Sequence, residues 1–340
     1  MRSAARRRNA TRALLPTLVA LALCPMTATC GTFIFAPELN AVASMRNGEG
    51  HGAAGAQRSS AGFEAFGTVS GRRGDLFTWN LQARLSHDSR LPDERWGIEV
   101  HNAWVEHRLG LGRKLRLGHF SPAFGLEPSL DTHGTLLQTL AGRSIGFKKD
   151  WGIGYEGLLG PLDGAVALQL GSGAPIDRRD GSYLATIRVS SPPGRAVRIG
   201  ASALLGRPLD TGGARLLPAP EAPVASQVTR IGIDTTVATG AAEVRCELIA
   251  GRDGGVEVAG GLVGVDLALP GLQRLTLESQ ATAWSGDLSA DGEVRSDVAL
   301  GASYRATPHW TLRVLAEREI EAPGWEEATI IALQLYYYGG

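Results

Sequence analysis

The sequence contains very little cysteine and has no net charge. Three Cys stand among 340 residues, and 34 Lys and Arg balance 34 Asp and Glu. So few Cys cannot build the disulfide framework of a small secreted domain. A neutral balance gives no support for a nucleic-acid partner, which would normally show a basic excess. We therefore expect neither disulfide bonds nor nucleic-acid binding.

Long apolar runs are also missing. Outside the N-terminus no run approaches the ~20 residues that a membrane-spanning helix needs, although 44% of the residues are hydrophobic. The sequence therefore argues against a helical membrane protein. A transmembrane β-barrel is not, because its outward apolar and inward polar residues alternate and average to a neutral hydropathy.

The N-terminus is typical of an export signal. Basic residues precede an apolar segment, 13–23, that is too short to span a membrane. We expect a signal peptide over 1–30, with cleavage possible as late as residue 43. Cys24 and Cys30 offer a lipoprotein as an alternative, which the large residues before them disfavour. The basic residues are Arg2, Arg6, Arg7, Arg8 and Arg12.

The rest of the chain alternates between apolar and polar residues. The alternating segments run for ~9–13 residues, the length at which a tilted strand crosses a bilayer. A soluble β-sandwich alternates as well, so a soluble all-β protein remains an alternative. In segment 309–319 the apolar face holds Trp310, Leu312, Val314 and Ala316, and the polar face holds Thr311, Arg313, Glu317 and Glu319.

The connectors between these segments alternate between short and long. The short ones carry the Gly or Pro that tight turns require, and the long ones are more polar. Short turns on one rim and long loops on the other are typical of an outer-membrane barrel. The short connectors are 71–74, 110–112, 159–162, 191–194, 239–240, 269–271 and 306–308, and the long ones are 45–60, 88–94, 121–146, 172–180, 206–225, 251–255, 285–294 and 320–327.

These patterns predict an all-β fold, a single transmembrane antiparallel β-barrel over 31–340. We expect about 16 strands, with 14 or 18 possible, short periplasmic turns and longer extracellular loops. The first strand, in 32–44, is the weakest prediction because Pro37 lies inside it. Aromatic residues should form two interfacial girdles. Trp96, Trp284 and Trp325 belong to the outer girdle, and Trp310, Tyr336, Tyr337 and Tyr338 to the inner one.

One stretch resembles the phosphate-selective porins of the porin O and porin P type. An aromatic-centred strand, 102–109, is followed by a short turn and then by Gly118-His119-Phe120-Ser121-Pro122-Ala123-Phe124-Gly125. That segment is similar to the Gly-Gln-Phe-x-x-Pro-Phe-Gly segment of the family, with His119 in place of Gln. The resemblance covers Trp96 to Gly157. The C-terminal aromatic-x-aromatic pattern also looks like the assembly signal of bacterial outer-membrane proteins, although two Gly follow it.

The resemblance implies a trimeric channel, general or anion-preferring, with its long third loop folded into the pore. Segment 121–146 is the third outer loop in our count. The candidate pore-lining or constriction residues are Arg116, Arg188 and Arg198 on predicted lumen faces, and Glu127, Asp131, His133 and Arg143 in the loop. The predicted lumen carries acids as well, so the alternative role of each Arg is an ion pair with a cross-strand acid. We expect such pairs for Arg245 and Arg305.

Signs of catalysis or metal binding are weak. Ser129, Asp131 and His133 lie close together in the long loop, but a hydrogen-bond network explains them better than a catalytic triad. His101 and His107 share a face of one predicted strand and lack a third ligand. We expect no enzymatic activity, no metal and no cofactor.

Two functions fit this reading. The first is a passive outer-membrane channel for small hydrophilic solutes or anions, embedded in the bacterial outer membrane among its lipids as a homotrimer. The second is a barrel sheath or adaptor that encloses a partner protein, such as a periplasmic cytochrome.

Overall fold

The computed structural model describes residues 31–54, 57–71, 74–89, 96–110, 112–130, 132, 134–209, 225–289, 294–320 and 327–339. The predicted signal peptide, Trp325, Asp131 and His133 lie outside the described residues. Within them, no helix is long and apolar enough to span a membrane.

Sixteen long strands form one sheet. They are β1 Phe33–Arg46, β2 Gln57–Gly71, β3 Gly74–His87, β4 Trp96–Gly110, β5 Arg113–Phe120, β6 Asp150–Leu159, β7 Leu162–Gln169, β8 Tyr183–Ser190, β9 Val197–Arg207, β10 Val228–Thr239, β11 Ala242–Asp253, β12 Val256–Ala268, β13 Leu275–Ser285, β14 Val294–Arg305, β15 Trp310–Ile320 and β16 Ala328–Tyr338. Two short strands, Glu49–His51 and Ala53–Ala54, pair with the ends of β1 and β2.

The sheet closes into a barrel. Every long strand pairs antiparallel with its neighbours in sequence, and β1 pairs with both β2 and β16. Closure leaves no strand edge unpaired, as a bilayer requires. The predicted count of sixteen is confirmed, and its weakest member, the first strand, is present as β1 with Pro37 opposite Phe63.

Alternation along β16 shows how the wall is built. Ile331, Leu333 and Leu335 are 53%, 51% and 40% exposed, whereas Ala332 and Gln334 are fully buried. Since successive side chains of a strand point to opposite faces, the first three lie on the outer surface of the barrel and the other two on the inner surface. A ring of apolar side chains on the outside suits contact with lipid.

The connectors divide the barrel into a turn rim and a loop rim. The turn rim carries the connectors 160–161, 191–196, 240–241, 269–274 and 306–309, the adjoining ends of β2 and β3 and of β4 and β5, the start of β1 and the end of β16. The opposite strand ends form the loop rim. One predicted long connector, 251–255, is in fact a two-residue turn at Gly254 and Gly255, whose φ angles of 56° and 102° favour glycine.

A β-bulge in β4 corrects one prediction. Gln82 pairs with Asn102 and Ala83 pairs with Val100, so His101 has no partner on β3. The extra residue shifts the alternation by one position. His101 therefore lies 3.7 Å from inward Glu99, while His107 packs on outward Phe77 with 4.6 Å between the ring centroids. The two histidines do not share a face.

The aromatic girdles are only partly present. At the turn rim, Trp310 packs on Tyr337 with 4.8 Å between the ring centroids, and at the loop rim Trp96 is 65% exposed beside His87. Trp284 and Tyr336 were predicted for the girdles but point inward, where the guanidinium carbons of Arg230 and Arg313 lie 5.7 and 5.5 Å from their ring centroids.

Candidate pore and its inward loop

The connector between β5 and β6, residues 121–149, folds into the barrel and is called the inward loop here. Its first part is tied to the wall by three backbone N–H groups. Ala123 donates to Thr186 Oγ1 at 3.0 Å, Gly125 to Ser202 Oγ at 3.1 Å and Leu126 to Glu247 Oε1 at 2.9 Å. These acceptors belong to β8, β9 and β11. The loop therefore lies against inward-facing side chains and not above the rim.

The later part of the loop is bound to the other side of the barrel. Arg143 donates to Thr282 Oγ1 at 2.8 Å and forms an ion pair with Asp297. Gln280 Nε2 donates to the carbonyl of Gln138 at 3.0 Å. Arg313 Nη1 donates to the carbonyl of Gly134 at 2.7 Å. Together with the first set of contacts, these show that the loop crosses the lumen.

Apolar packing supports the hydrogen bonds at both walls. Phe124, Leu126, Leu140, Ile145 and Phe147 of the loop form one cluster with wall residues. Leu136 and Leu137 join a second cluster at the opposite wall. The wall residues are Leu184, Leu204, Val228, Ile249 and Leu262 in the first cluster, and Val42, Ala299, Leu315 and Ala332 in the second. Burying leucine- and phenylalanine-sized side chains stabilises the loop in this position.

The loop also has an internal anchor, Glu127. This residue begins a one-turn 3₁₀ helix, Glu127–Ser129, and its carboxylate accepts hydrogen bonds from Thr132 and Thr139. It is only 5% exposed. A single α-helical turn, α1 Ala141–Ser144, follows later in the loop. Glu127 was a candidate pore-lining residue, and the structure places it inside the loop as a structural group.

Three of the other candidates meet at one cavity. Arg116, Arg188 and Arg198 line a space of about 460 Å³ between the inward loop and the wall formed by β4 to β9. Arg143 lies outside this cavity, where it contacts Thr282 of β13 and Asp297 of β14. The cavity opens toward the turn rim, since Gly112 and Pro193 also line it.

Arg116 is held by a compact charge network. Its Nη2 lies 2.7 Å from Glu106 Oε2 and its Nη1 lies 3.2 Å from Glu156 Oε1, and Lys114 Nζ contacts the same two acids at 3.4 and 2.8 Å. The guanidinium carbon of Arg116 stands 4.8 Å from the Trp104 ring centroid. Two cations thus face two acids, and their charges cancel locally.

Arg188 is also paired, whereas Arg198 is not. Arg188 Nη2 lies 2.5 Å from Asp234 Oδ1, and its Nε donates to the carbonyl of Gly125 in the inward loop at 3.0 Å. Arg198 forms no ion pair within the described part of the chain, and its Nε is buried without a hydrogen-bond partner.

Two further Arg residues were expected to pair with acids, and they differ. Arg245 does so, with 2.6 Å between Nη1 and Asp266 Oδ2. Arg305 is exposed at the end of β14 and makes no ion pair with any described residue. The prediction of an ion pair for Arg305 is therefore wrong. β14 ends at Arg305, and the residue opposite it on β15 is Thr311, which is not an acid.

Sequence reasoning missed Glu247, Asp234 and Asp150. Glu247 accepts the backbone N–H of Leu126 in the loop, and this role depends on the path of a segment 121 residues away. Asp150 opens β6, and its carboxylate accepts hydrogen bonds from four backbone N–H groups, those of Trp151, Gly171, Ser172 and Gly173. No local pattern around Asp150 signals this.

Of the suspected triad, only Ser129 is among the described residues, and its contacts are those of a local turn. Ser129 Oγ donates to the carbonyl of Leu126 at 2.8 Å, which is the hydrogen bond of a local turn. Across the described ranges, no group of three His, Cys, Asp or Glu could hold a metal ion. The absence of catalysis and of cofactors stays a prediction.

Comparison with known proteins shows similarity in structure alone. No protein-family model matches the sequence. No curated protein matches it either. Among solved structures, OmpT of Vibrio cholerae with loop L8 deleted, an outer membrane protein, has a TM-score of 0.62 at 15% identity, covering 91% of this chain and 99% of that one.

Two porins are similar to the same degree. The anion-selective porin from Comamonas acidovorans has a TM-score of 0.61 at 13% identity, over 92% of this chain and all of that one. OmpF of Salmonella typhi, solved in complex with daunomycin, has a TM-score of 0.63 at 8% identity, over 90% and 97%. The chain therefore has the fold of the outer-membrane β-barrels of porin type, and the prediction of an outer-membrane barrel is confirmed at that level.

Proposed function

We propose that the protein is a passive channel for small hydrophilic solutes in the bacterial outer membrane. The cavity beneath the inward loop, which contains several charged side chains, carries this proposal. The loop packs its apolar side chains against β8 to β12 and against β14, β15, β16 and β1. Beside β4 to β9 it leaves an open cavity that is lined in part by charged side chains. In this proposal the inward loop constricts the pore, and Arg116, Arg188 and Arg198 line the passage below it.

Single-channel recording tests this proposal. The protein, refolded and inserted into planar lipid bilayers, should give stable ohmic current steps. Ala165 lines the cavity, so Ala165→Trp should lower the conductance by roughly half, because an aromatic side chain of 150–250 Å² takes up much of the passage. Leu168→Trp is the matched control, since Leu168 is 56% exposed on the outer face of the same strand. A sealed barrel, or equal conductance in both variants, would contradict the channel or its path.

The finer proposal is a weak preference for anions. One structural neighbour is an anion-selective porin, and Arg198 forms no ion pair with any described residue. Selectivity depends on the charges at the narrowest part of the pore, and pairing cancels the charges of Arg116 and Arg188. Arg198 favours anions and Asp163 in the same cavity opposes it, so the reversal potential in a salt gradient should favour anions only slightly and should shift toward cations in Arg198→Gln. An unchanged reversal potential would remove Arg198 from the selectivity of the channel.

We also propose a homotrimer. OmpT of Vibrio cholerae, a structural neighbour, is described in a trimer form. Size-exclusion chromatography with light scattering in detergent should give three chains per particle. A monodisperse monomer would contradict the proposal.

The sheath or adaptor is not supported. A barrel that encloses a folded partner needs an empty lumen, whereas the inward loop crosses this one and is hydrogen-bonded to β8, β9 and β11 on one side and to β13, β14 and β15 on the other.

A further inference from the structure

Two charges in the cavity beneath the inward loop have no ion-pair partner among the described residues. Arg198 and Asp163 both line this cavity. Arg198 has a buried Nε with no hydrogen-bond partner, and the Asp163 carboxylate has no hydrogen bond or ion pair to any described residue. A positive and a negative group therefore face the same space with unused hydrogen-bonding capacity.

The other charges around the cavity cancel. Lys114 and Arg116 are bound to Glu106 and Glu156. Arg188 is bound to Asp234. A ligand entering the cavity consequently meets the isolated charges of Arg198 and Asp163, with the paired groups acting as a neutral polar wall.

The strand register sets the separation of these two groups. Asp163 of β7 is opposite Ser190 of β8, and Ser190 is opposite Gly200 of β9. Arg198 lies two residues from Gly200 on the same inward face. With about 4.8 Å between strands and about 3.4 Å per residue, the two Cα atoms are roughly 12 Å apart. No ion pair joins Arg198 to Asp163 within the described residues, so their charged groups lie apart and both face the cavity, where a small molecule with two opposite charges can contact each of them.

We propose that this cavity binds a small zwitterion, with its ammonium group at Asp163 and its carboxylate at Arg198. Arg198 would attract an anion and Asp163 would repel it, whereas Asp163 would attract a cation and Arg198 would repel it. A molecule that carries both charges satisfies both groups through charge-assisted hydrogen bonds. The Ser190 hydroxyl, between the two on the cavity wall, can bind either end of the ligand. This inference rests on the proposed channel, because the ligand reaches the cavity through the pore.

The cavity volume limits the ligand to a small molecule. About 460 Å³ lies within the range of cavities that hold small ligands. Trp104 and Phe120 provide apolar surface in the same wall. Amino acids and short amino acid derivatives have this combination of two opposite charges and a short apolar stem.

The proposed site is tested by the binding of γ-aminobutyrate. Two control ligands carry only one of its charges: butyrate has the carboxylate and n-butylamine has the ammonium group. Equilibrium dialysis of the refolded full-length protein in detergent should show γ-aminobutyrate bound at least about tenfold more tightly than either probe. Asp163→Asn and Arg198→Gln should each weaken that binding about tenfold. Arg305→Gln is the matched control, because Arg305 is also an inward-facing Arg without an ion pair at the turn rim and lies outside the cavity. Heat-modifiable mobility on gels shows that each variant is folded, whether or not it conducts.

The outcomes separate the site from the channel. Current steps in bilayers with equal binding of γ-aminobutyrate and butyrate, or with unchanged binding in both cavity variants, would overturn the zwitterion site and leave the channel standing. Selective binding in detergent from a protein that never conducts would overturn the channel and leave the site standing.

Discussion

Arg188 and Asp234 form an ion pair across a strand that lies between them. Arg188 is on β8 and Asp234 on β10, yet Nη2 and Oδ1 are 2.5 Å apart. Gly200 of the intervening β9 makes this possible, since a Cβ at that position would overlap both side chains. The same guanidinium donates to the Gly125 carbonyl. One glycine in the wall thus permits the contact that holds the inward loop.

Gly200→Val should therefore separate Arg188 from Asp234. Breaking a buried ion pair leaves charges without partners, and we expect a loss of about 3 kcal/mol in the free energy of unfolding. Urea unfolding in detergent measures it. Ala201→Val is the control, because Ala201 is exposed on the outer face of the same strand. Equal stability of the two variants would show that the pair contributes little.

The packing of the inward loop should depend on Leu140. This residue is 1% exposed in the cluster between the loop and β8 to β12. Leu140→Ala should lower stability by about 2–5 kcal/mol, and the loosened loop should increase the current noise of single channels. Leu205→Ala, at an exposed outer position of β9, should change neither quantity. A quiet, fully stable Leu140→Ala channel would contradict this role.

The outer surface should reject charge at its centre and tolerate it near a rim. Leu333 lies at the middle of β16 and Leu267 lies near the turn rim end of β12, both on the outer face. Leu333→Arg should cost about 2–4 kcal/mol and Leu267→Arg at most about 1 kcal/mol. Reversible folding into lipid vesicles gives both values. A reversed order would place the membrane elsewhere on the barrel.

The connector between β7 and β8 should be held in place by Asp150. Its carboxylate accepts the N–H groups of Gly171, Ser172 and Gly173 at 2.6, 3.2 and 3.1 Å. Asp150→Asn removes the charge from these bonds, and we expect a loss of about 1–3 kcal/mol and faster trypsin cleavage at Arg178 or Arg179. Asp177→Asn is the control. It weakens the ion pair with Arg179 in the same connector but leaves the Asp150 hydrogen bonds in place, so it shows how much of the faster cleavage comes from a local change at Arg179. Cleavage at the wild-type rate would show that Asp150 does not anchor the connector.

The barrel was largely predictable from the sequence, because its signals are local. Alternation with a period of two residues assigns each side chain to the inner or outer surface, and alternating connector lengths assign each strand end to a rim. Both signals hold in β15, where Leu312 and Val314 face outward as predicted. They fail where a local irregularity interrupts the period, as at His101, or where an aromatic ring is used inside the barrel, as at Trp284 and Tyr336.

The sequence by itself determined the class of fold, the number of strands and the set of charged residues that face the lumen. Only the tertiary structure decided which of those charges are neutralised. Arg188 pairs with Asp234, 46 residues away, and Glu247 accepts the backbone N–H of a loop residue 121 residues away. Arg198 and Asp163 have no ion-pair partner within the described ranges. Such pairing depends on strand register and on the path of the inward loop, because these bring residues together that are distant in the sequence. The sequence around each residue therefore does not indicate its partner.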